Sequence, residues 1–144
     1  MKVRQVLNSK AQNHLWHVEP DTSVLQALEI MADKNIGAIL VLENGKLIGI
    51  FSERDYARKG ILKGRASKDT LIRDVMTSPV ITVDVEQKVE ECMAIMSEKH
   101  IRHLPVTEAD QLFGIISIND IVTAIINDQK SRIESLESYI SGGY

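Results

Sequence analysis

Gly49-Ile50-Phe51-Ser52-Glu53-Arg54-Asp55 returns 65 residues later as Gly114-Ile115-Ile116-Ser117-Ile118-Asn119-Asp120. In both stretches an apolar run ends at a Ser, and an Asp follows three residues on. A Ser that opens a helix can cap exposed backbone N–H groups or donate to an anion. A carboxylate in the first turn can accept two hydrogen bonds from a vicinal diol such as a ribose. The same two residue types also serve as ordinary helix-start residues. Two copies at one spacing, each behind an apolar run with Gly at the same place, favour a nucleotide-shaped site.

Working outward, the whole chain reads as a duplication. Residues 18–59 align without a gap on 83–124, with 13 identities in 42 positions, among them Val18/Val83, Ile30-Met31/Ile95-Met96, Glu43/Glu108 and Leu47/Leu112. Arg4-Gln5-Val6-Leu7 resembles Arg73-Asp74-Val75-Met76 at an offset of 69, so the first copy carries four extra residues within Asn8–His17. Each unit predicts a short extended run (Leu15–Val18; Val80–Val83). A helix follows, with N-cap candidates at Asp21-Thr22-Ser23 and apolar spacing at Val24, Leu28 and Met31, repeated by Val89, Met93 and Met96. Two strands come next, Ala38–Leu42 and Lys46–Phe51, joined by the turn signal Asn44-Gly45; Ala109-Asp110 is the weaker signal in the second copy. A second helix starts from Glu53 and from Asn119. The predicted fold is therefore mixed α/β of the α+β type: tandem β-α-β-β-α repeats with pseudo-two-fold symmetry, short sheets packed by helices. The expected domains are 1–64 (core 14–62) and 65–127 (core 79–127). A C-terminal amphipathic helix and tail occupy 128–144, and Gly60, Gly64 and Arg65–Asp69 serve as the linker.

Composition narrows the function. The 144 residues are 44% hydrophobic, 26% charged and 4% aromatic, with a formal net charge of −3. That is globular composition, and it argues against a duplex nucleic-acid surface, which is usually basic. The lone Cys92 excludes an intramolecular disulfide and a CxxC metal site, and reads as a buried thiol in a reducing, cytoplasmic compartment. No apolar run approaches the roughly 18 residues that span a bilayer, and Met1–Gln5 leads into no signal-peptide core. His14/His17 and His100/His103 gain no carboxylate or Cys at ligand spacing, so no metal is expected. No nucleophile–base pair, Walker loop or GxGxxG appears, and no enzymatic activity is expected. Trp16 reads as core.

The β-α-β-β-α repeat, the Gly-x-x-Ser-x-x-Asp junctions and Ile101-Arg102-His103-Leu104-Pro105-Val106 together resemble the paired cystathionine-β-synthase (CBS) domain family over about residues 1–127. The resemblance implies two copies packed through their sheets with two clefts, which hold AMP, ADP, ATP, NAD(P)-type dinucleotides or S-adenosylmethionine. It implies Ser52 and Ser117 on phosphate, and Asp55 and Asp120 on ribose hydroxyls. Arg102 and His103, ahead of Pro105, are then phosphate-facing, while their counterparts Gly37 and Ala38 leave room for a flat base. Arg54 is an even choice between phosphate contact and solvated face; Asn119, its counterpart, offers a neutral contact. Arg58, on the helix face of Arg54, and Lys59 join the expected ligand-binding set, as do Pro105 itself and Ile81 and Thr82 in the second extended run. Lys63 and Arg65 read as solvated.

The expected function is a stand-alone CBS-pair regulatory module that binds an adenine nucleotide and signals to a separate effector protein. The alternative is a structural dimerisation module without ligand. Beyond the repeat, Ile133, Leu136 and Ile140 form an apolar stripe. It either packs back on its own chain or joins a homodimer, which the resemblance favours.

Overall fold

The computed structural model describes residues 1–10 and 14–141. Among them the chain forms α1 (Val3–Ser9), β1 (His17–Val18), α2 (Val24–Lys34), β2 (Ala38–Glu43), β3 (Lys46–Ser52) and a short α3 (Glu53–Asp55). Then follow β4 (Val83–Asp84), α4 (Val89–Lys99), β5 (His103–Glu108), β6 (Gln111–Ser117) and α5 (Ile118–Ile140). Two three-stranded sheets result, β1-β2-β3 and β4-β5-β6, each with one parallel and one antiparallel pair. The fold is the mixed α/β tandem repeat that the sequence predicts.

The repeats match in detail. Ser23 caps α2, its side chain accepting from the Gln26 N–H. Asn35 and His100, equivalent positions, end α2 and α4 in the left-handed region. Both hairpins turn through two left-handed residues, Asn44-Gly45 and Ala109-Asp110, so the weaker sequence signal still makes the same turn. Both carry a register shift at the same place, after Val41 and after Val106.

The edge strands differ from expectation. β1 is shorter than Leu15–Val18, and β4 begins only at Val83, where Val80–Val83 was expected. Pro105 supplies a reason for the second. Val83 pairs with Val106, so the preceding residue of the strand would face Pro105, which has no N–H to continue the ladder. In the first copy that register position is Leu40, and it pairs with His17.

The compact units do not coincide with the repeats. One unit is His14–Thr82; the other joins Met1–Asn13 to Val83–Tyr144. The lead-in of each repeat thus completes the core of the other. Val3, Val6 and Leu7 of α1 are buried with Val83, Val89, Cys92 and Ile116, while Ile72 and Val75 are buried with Val18, Val24, Met31 and Phe51. A matched pair of clamps fastens the lead-ins. Arg73 binds Asp21 at 2.6 Å and Glu43 at 3.8 Å; Arg4 binds Glu86 at 3.0 Å and Glu108 at 3.3 Å. Asp21/Glu86 and Glu43/Glu108 are equivalent residues of the two repeats, so the pairing follows the duplication.

Three further expectations change. The helix after β3 is not a continuous α-helix: α3 passes into a π-helical stretch, Tyr56–Gly60, and a 3-10 turn, Ile61–Lys63. Arg54 and Arg58 therefore do not sit on one regular α-helical face. The expected linker is not a free tether, because Ser67 and Thr70 carbonyls accept from the Leu25 and Val24 N–H groups, which the start of α2 leaves unpaired. The C-terminal helix is not a separate element either: α5 runs unbroken from the second motif to Ile140. Trp16 packs against the first core with the Lys34 ammonium 4.6 Å from its ring centroid.

Candidate functional site

Each Ser of the motif closes its sheet and opens its helix. Ser52 and Ser117 are extended (φ −120° and −108°) and pair across the sheet with Ala38 and His103. The next N–H reaches back over the strand: Glu53 donates to the Gly37 carbonyl at 3.1 Å, and Ile118 donates to the Arg102 carbonyl at 3.0 Å. Ser and Asp then cap reciprocally. The Ser52 hydroxyl accepts from the Asp55 N–H at 3.2 Å, and the Asp55 carboxylate accepts from the Ser52 N–H at 3.0 Å. The same bonds are 3.1 and 2.8 Å for Ser117 and Asp120. The helix-start reading of the motif therefore holds in both copies, and any ligand would use what the caps leave over.

What is left over differs. Asp55 is only 12% exposed, and both its oxygens are engaged. Oδ2 takes the Ser52 N–H and hydroxyl; Oδ1 takes the Thr77 hydroxyl at 2.9 Å and the Lys59 ammonium at 3.4 Å. Thr77 arrives because its backbone bridges Ile50 in both directions, at 2.8 and 3.1 Å. Gly49 makes that approach possible: a Cβ there would stand 2.5 Å from Met76 Sδ and 3.3 Å from the Thr77 carbonyl. At Gly49 close packing, and not an unusual backbone angle, accounts for the glycine.

At the second junction Asp120 is 23% exposed, and the Lys10 ammonium sits 3.0 Å from Oδ2. Lys10 also donates to the Ile115 carbonyl at 3.1 Å. Oδ1 of Asp120 stays outside these bonds. His103 lies alongside, half-buried. Burial pushes its imidazole below the usual histidine range; Asp120 pulls it back up, and the Lys10 and Arg102 charges push it further down. Burial thus favours the neutral imidazole of His103 near pH 7, a form that can both donate and accept a hydrogen bond.

The structure brings Ser52, Asp55, Lys59 and Ala38 together at one junction, and Ser117, Asp120 and His103 at the other. Arg102 is exposed at the head of β5, Arg54 is half-buried, and Arg58 and Asn119 are exposed. Gly37 lines a recess of about 320 Å³ with Leu28, Met31, Asn35 and Glu53, which neither Ser52 nor Asp55 lines. Pro105 is buried within β5, and Ile81 and Thr82 are exposed ahead of β4. None of these three contacts a motif Ser or Asp through a hydrogen bond or ion pair. Sequence reasoning missed Lys10 and Thr77. Thr77 directly follows the lead-in match, which is a usable signal. Lys10 lies within Asn8–His17, the stretch that carries the four extra residues, where the alignment of the two copies fixes no counterpart.

Two repeats, two capped Ser–Asp junctions and exchanged lead-ins define a tandem α/β module built from one duplicated unit. The CBS domain family model matches residues 3–61 and 72–127, and the chain belongs to that family. It is 38% identical to the CBS domain-containing protein CBSX3, mitochondrial, of Arabidopsis thaliana, over 99% of this chain and 73% of that protein. A solved protein with CBS domains from Burkholderia ambifaria is 42% identical with a TM-score of 0.87, covering 90% of this chain and 96% of that one. A CBS domain pair solved with methylthioadenosine and S-adenosyl-L-methionine matches in fold, with a TM-score of 0.75 at 24% identity over 89% of this chain and 98% of that one. Among the described residues no helix is long and apolar enough to cross a membrane.

Proposed function

We propose that this chain is a regulatory module whose Ser117–Asp120 junction binds an adenosine-containing nucleotide and whose occupancy is read by a separate effector protein. The observation that carries this reading is the partly exposed Asp120 carboxylate, with one oxygen outside the cap and the Lys10 ammonium 3.0 Å from the other. A ribose diol would take the outer oxygen. Lys10, released toward solvent, and the exposed Arg102 would meet phosphate. The neutral His103 adds a hydrogen bond without charge. Family membership supports an adenosyl ligand, as does the neighbour solved with two of them. AMP, ADP, ATP and NAD-type dinucleotides are the leading candidates. Signalling requires that the ligand bind one conformation better than another. No catalysis is proposed. The Cys92 thiol, pushed up to about 11 by burial, is a packed structural thiol with no part in this reading.

At the first junction a specific observation favours the structural reading: both Asp55 oxygens are already bonded. We therefore propose that Asp55 holds the fold and Asp120 holds the ligand. The test is a thermal-shift panel with AMP, ADP, ATP, NAD(H), NADP(H) and S-adenosylmethionine. A ligand at about 100 times its dissociation constant adds about 2.7 kcal/mol to stability. The shift is expected to vanish in Asp120→Ala, to weaken in Lys10→Met and Arg102→Ala at low salt, and to survive Thr77→Val. No shift with any of these ligands would leave the ligand-free structural module.

A further inference from the structure

Helix α5 starts as part of the second core and ends outside it. Ile121 and Ala124 are buried, but from Asn127 to Ser141 every residue except Asp128 is exposed. An isolated helix of this length is marginal in water, and this one carries an apolar stripe. Val122 is 43% exposed, Ile126 46%, Ile133 54%, Leu136 61% and Ile140 81%. Among the described residues nothing buries the stripe, whereas the sequence also allows it to pack back on its own chain.

The spacing says what covers it. Positions 122, 126, 129, 133, 136 and 140 alternate steps of four and three, the heptad pattern of a coiled-coil seam. Ile126, Ile133 and Ile140 take the a positions; Val122, Gln129 and Leu136 take the d positions. β-Branched residues at a with Leu at d favour two parallel strands; here all three a positions are Ile, while the d positions are Val122, Gln129 and Leu136. The flanks agree. In a parallel pair a g residue faces the e residue five positions on in its partner, which sets Arg132 against Glu137 of the second copy, twice by symmetry. In the single chain Arg132 bonds Asp128 of its own helix at 3.2 Å and remains 78% exposed, so it lies along the flank that the pairing needs. The outer positions Ser131, Glu134, Ser135 and Ser138 are polar. A seam that is apolar on both sides and whose charges complement themselves is matched to another copy of itself.

We infer that α5 pairs with α5 of a second copy as a parallel two-stranded coiled coil through Val122–Ile140. The test uses the full chain. Sedimentation and light scattering at micromolar concentration should give a dimer. Ile133→Glu and Leu136→Glu should each raise its dissociation constant at least about tenfold. Because both sites are exposed, the far-ultraviolet circular dichroism should keep the signature of the folded repeats. Arg132→Glu and Glu137→Arg should each weaken the dimer, and the double exchange should restore it. Ile133→Cys should form a disulfide-linked dimer under mild oxidation, since a residues face each other only in a parallel pair and the native Cys92 is buried. A monomeric wild type, a dimer indifferent to both Glu substitutions, or a dimer broken by them that Ile133→Cys does not cross-link would each overturn the inference. The first two outcomes would leave the stripe to a different protein partner, and the third would point to an antiparallel pair.

Discussion

The two Ser–Asp junctions share a backbone and differ in what reaches the carboxylate. At the first, Thr77 closes over Asp55 from a segment packed against β3 at Gly49, and Lys59 reaches the same carboxylate from four residues on in the helical stretch after β3. At the second, Lys10 is the cation that bonds the carboxylate among the described residues, and one oxygen of Asp120 lies outside the cap. A duplicated motif therefore fixes a scaffold, the reciprocal cap at a strand-to-helix join. The lead-in borrowed from the other repeat decides how much of the carboxylate stays available. Equal motifs do not imply equal sites.

The exchange of lead-ins is the part of this comparison most open to attack. Leu7 is 2% exposed among the buried residues of the second repeat. Leu7→Ala should cost about 2–5 kcal/mol, read by denaturant unfolding. Hydrogen exchange should show the lost protection in β4–β6 and α4 before β1–β3. Equal loss in both units, or loss confined to the first, would break the assignment of α1 to the second repeat's core.

A smaller effect sharpens the likeness of the hairpins. Ala109 sits at φ 49°, where its counterpart Asn44 sits at φ 53°. Left-handed backbone costs an Ala roughly 1 kcal/mol, and Asn tolerates it better. Ala109→Asn should raise the melting temperature by a few degrees, about 4–8 °C per kcal/mol in a small domain, and Asn44→Ala should lower it. Matching changes of opposite sign would make the two turns energetic equivalents, whereas no gain from Ala109→Asn would separate them.

The smallest effect concerns His103, whose counterpart Ala38 cannot titrate. With its folded pKa lowered from 6.5, the unfolded chain binds the proton more readily than the fold does. Stability then rises with pH across that window, so the fold should lose stability as pH falls below about 6.5. In His103→Gln the fall in melting temperature between pH 7.5 and 5.5 should be shallower than in the parent. An unchanged slope would mean that burial does not hold this imidazole neutral.

Much of this molecule is legible in its residues. The alignment of 18–59 on 83–124 predicts both sheets, both hairpins and both caps, because periodicity, turn residues and cap residues act within a few positions of the chain. Even the acidic ends of the Arg4 and Arg73 clamps are repeat-equivalent residues. The helix after Ser52 was harder to read. Its residues suit an α-helix, yet the backbone changes to π and then 3-10 geometry up to Lys63. Pro105 was read as part of a ligand motif, and it also coincides with the late start of the β4 ladder.

The sequence by itself determined the duplication, the β-α-β-β-α order, the Ser–Asp junctions and the apolar stripe Ile133, Leu136 and Ile140, all of which are patterns of local spacing. Only the tertiary structure decided that the lead-ins change places, that Thr77 closes Asp55 while Lys10 attends Asp120, that burial favours a neutral His103, that α5 runs unbroken from the second motif, and that its stripe stays exposed among the described residues. Those outcomes depend on which distant segment packs against which strand, and separation along the chain carries no record of that.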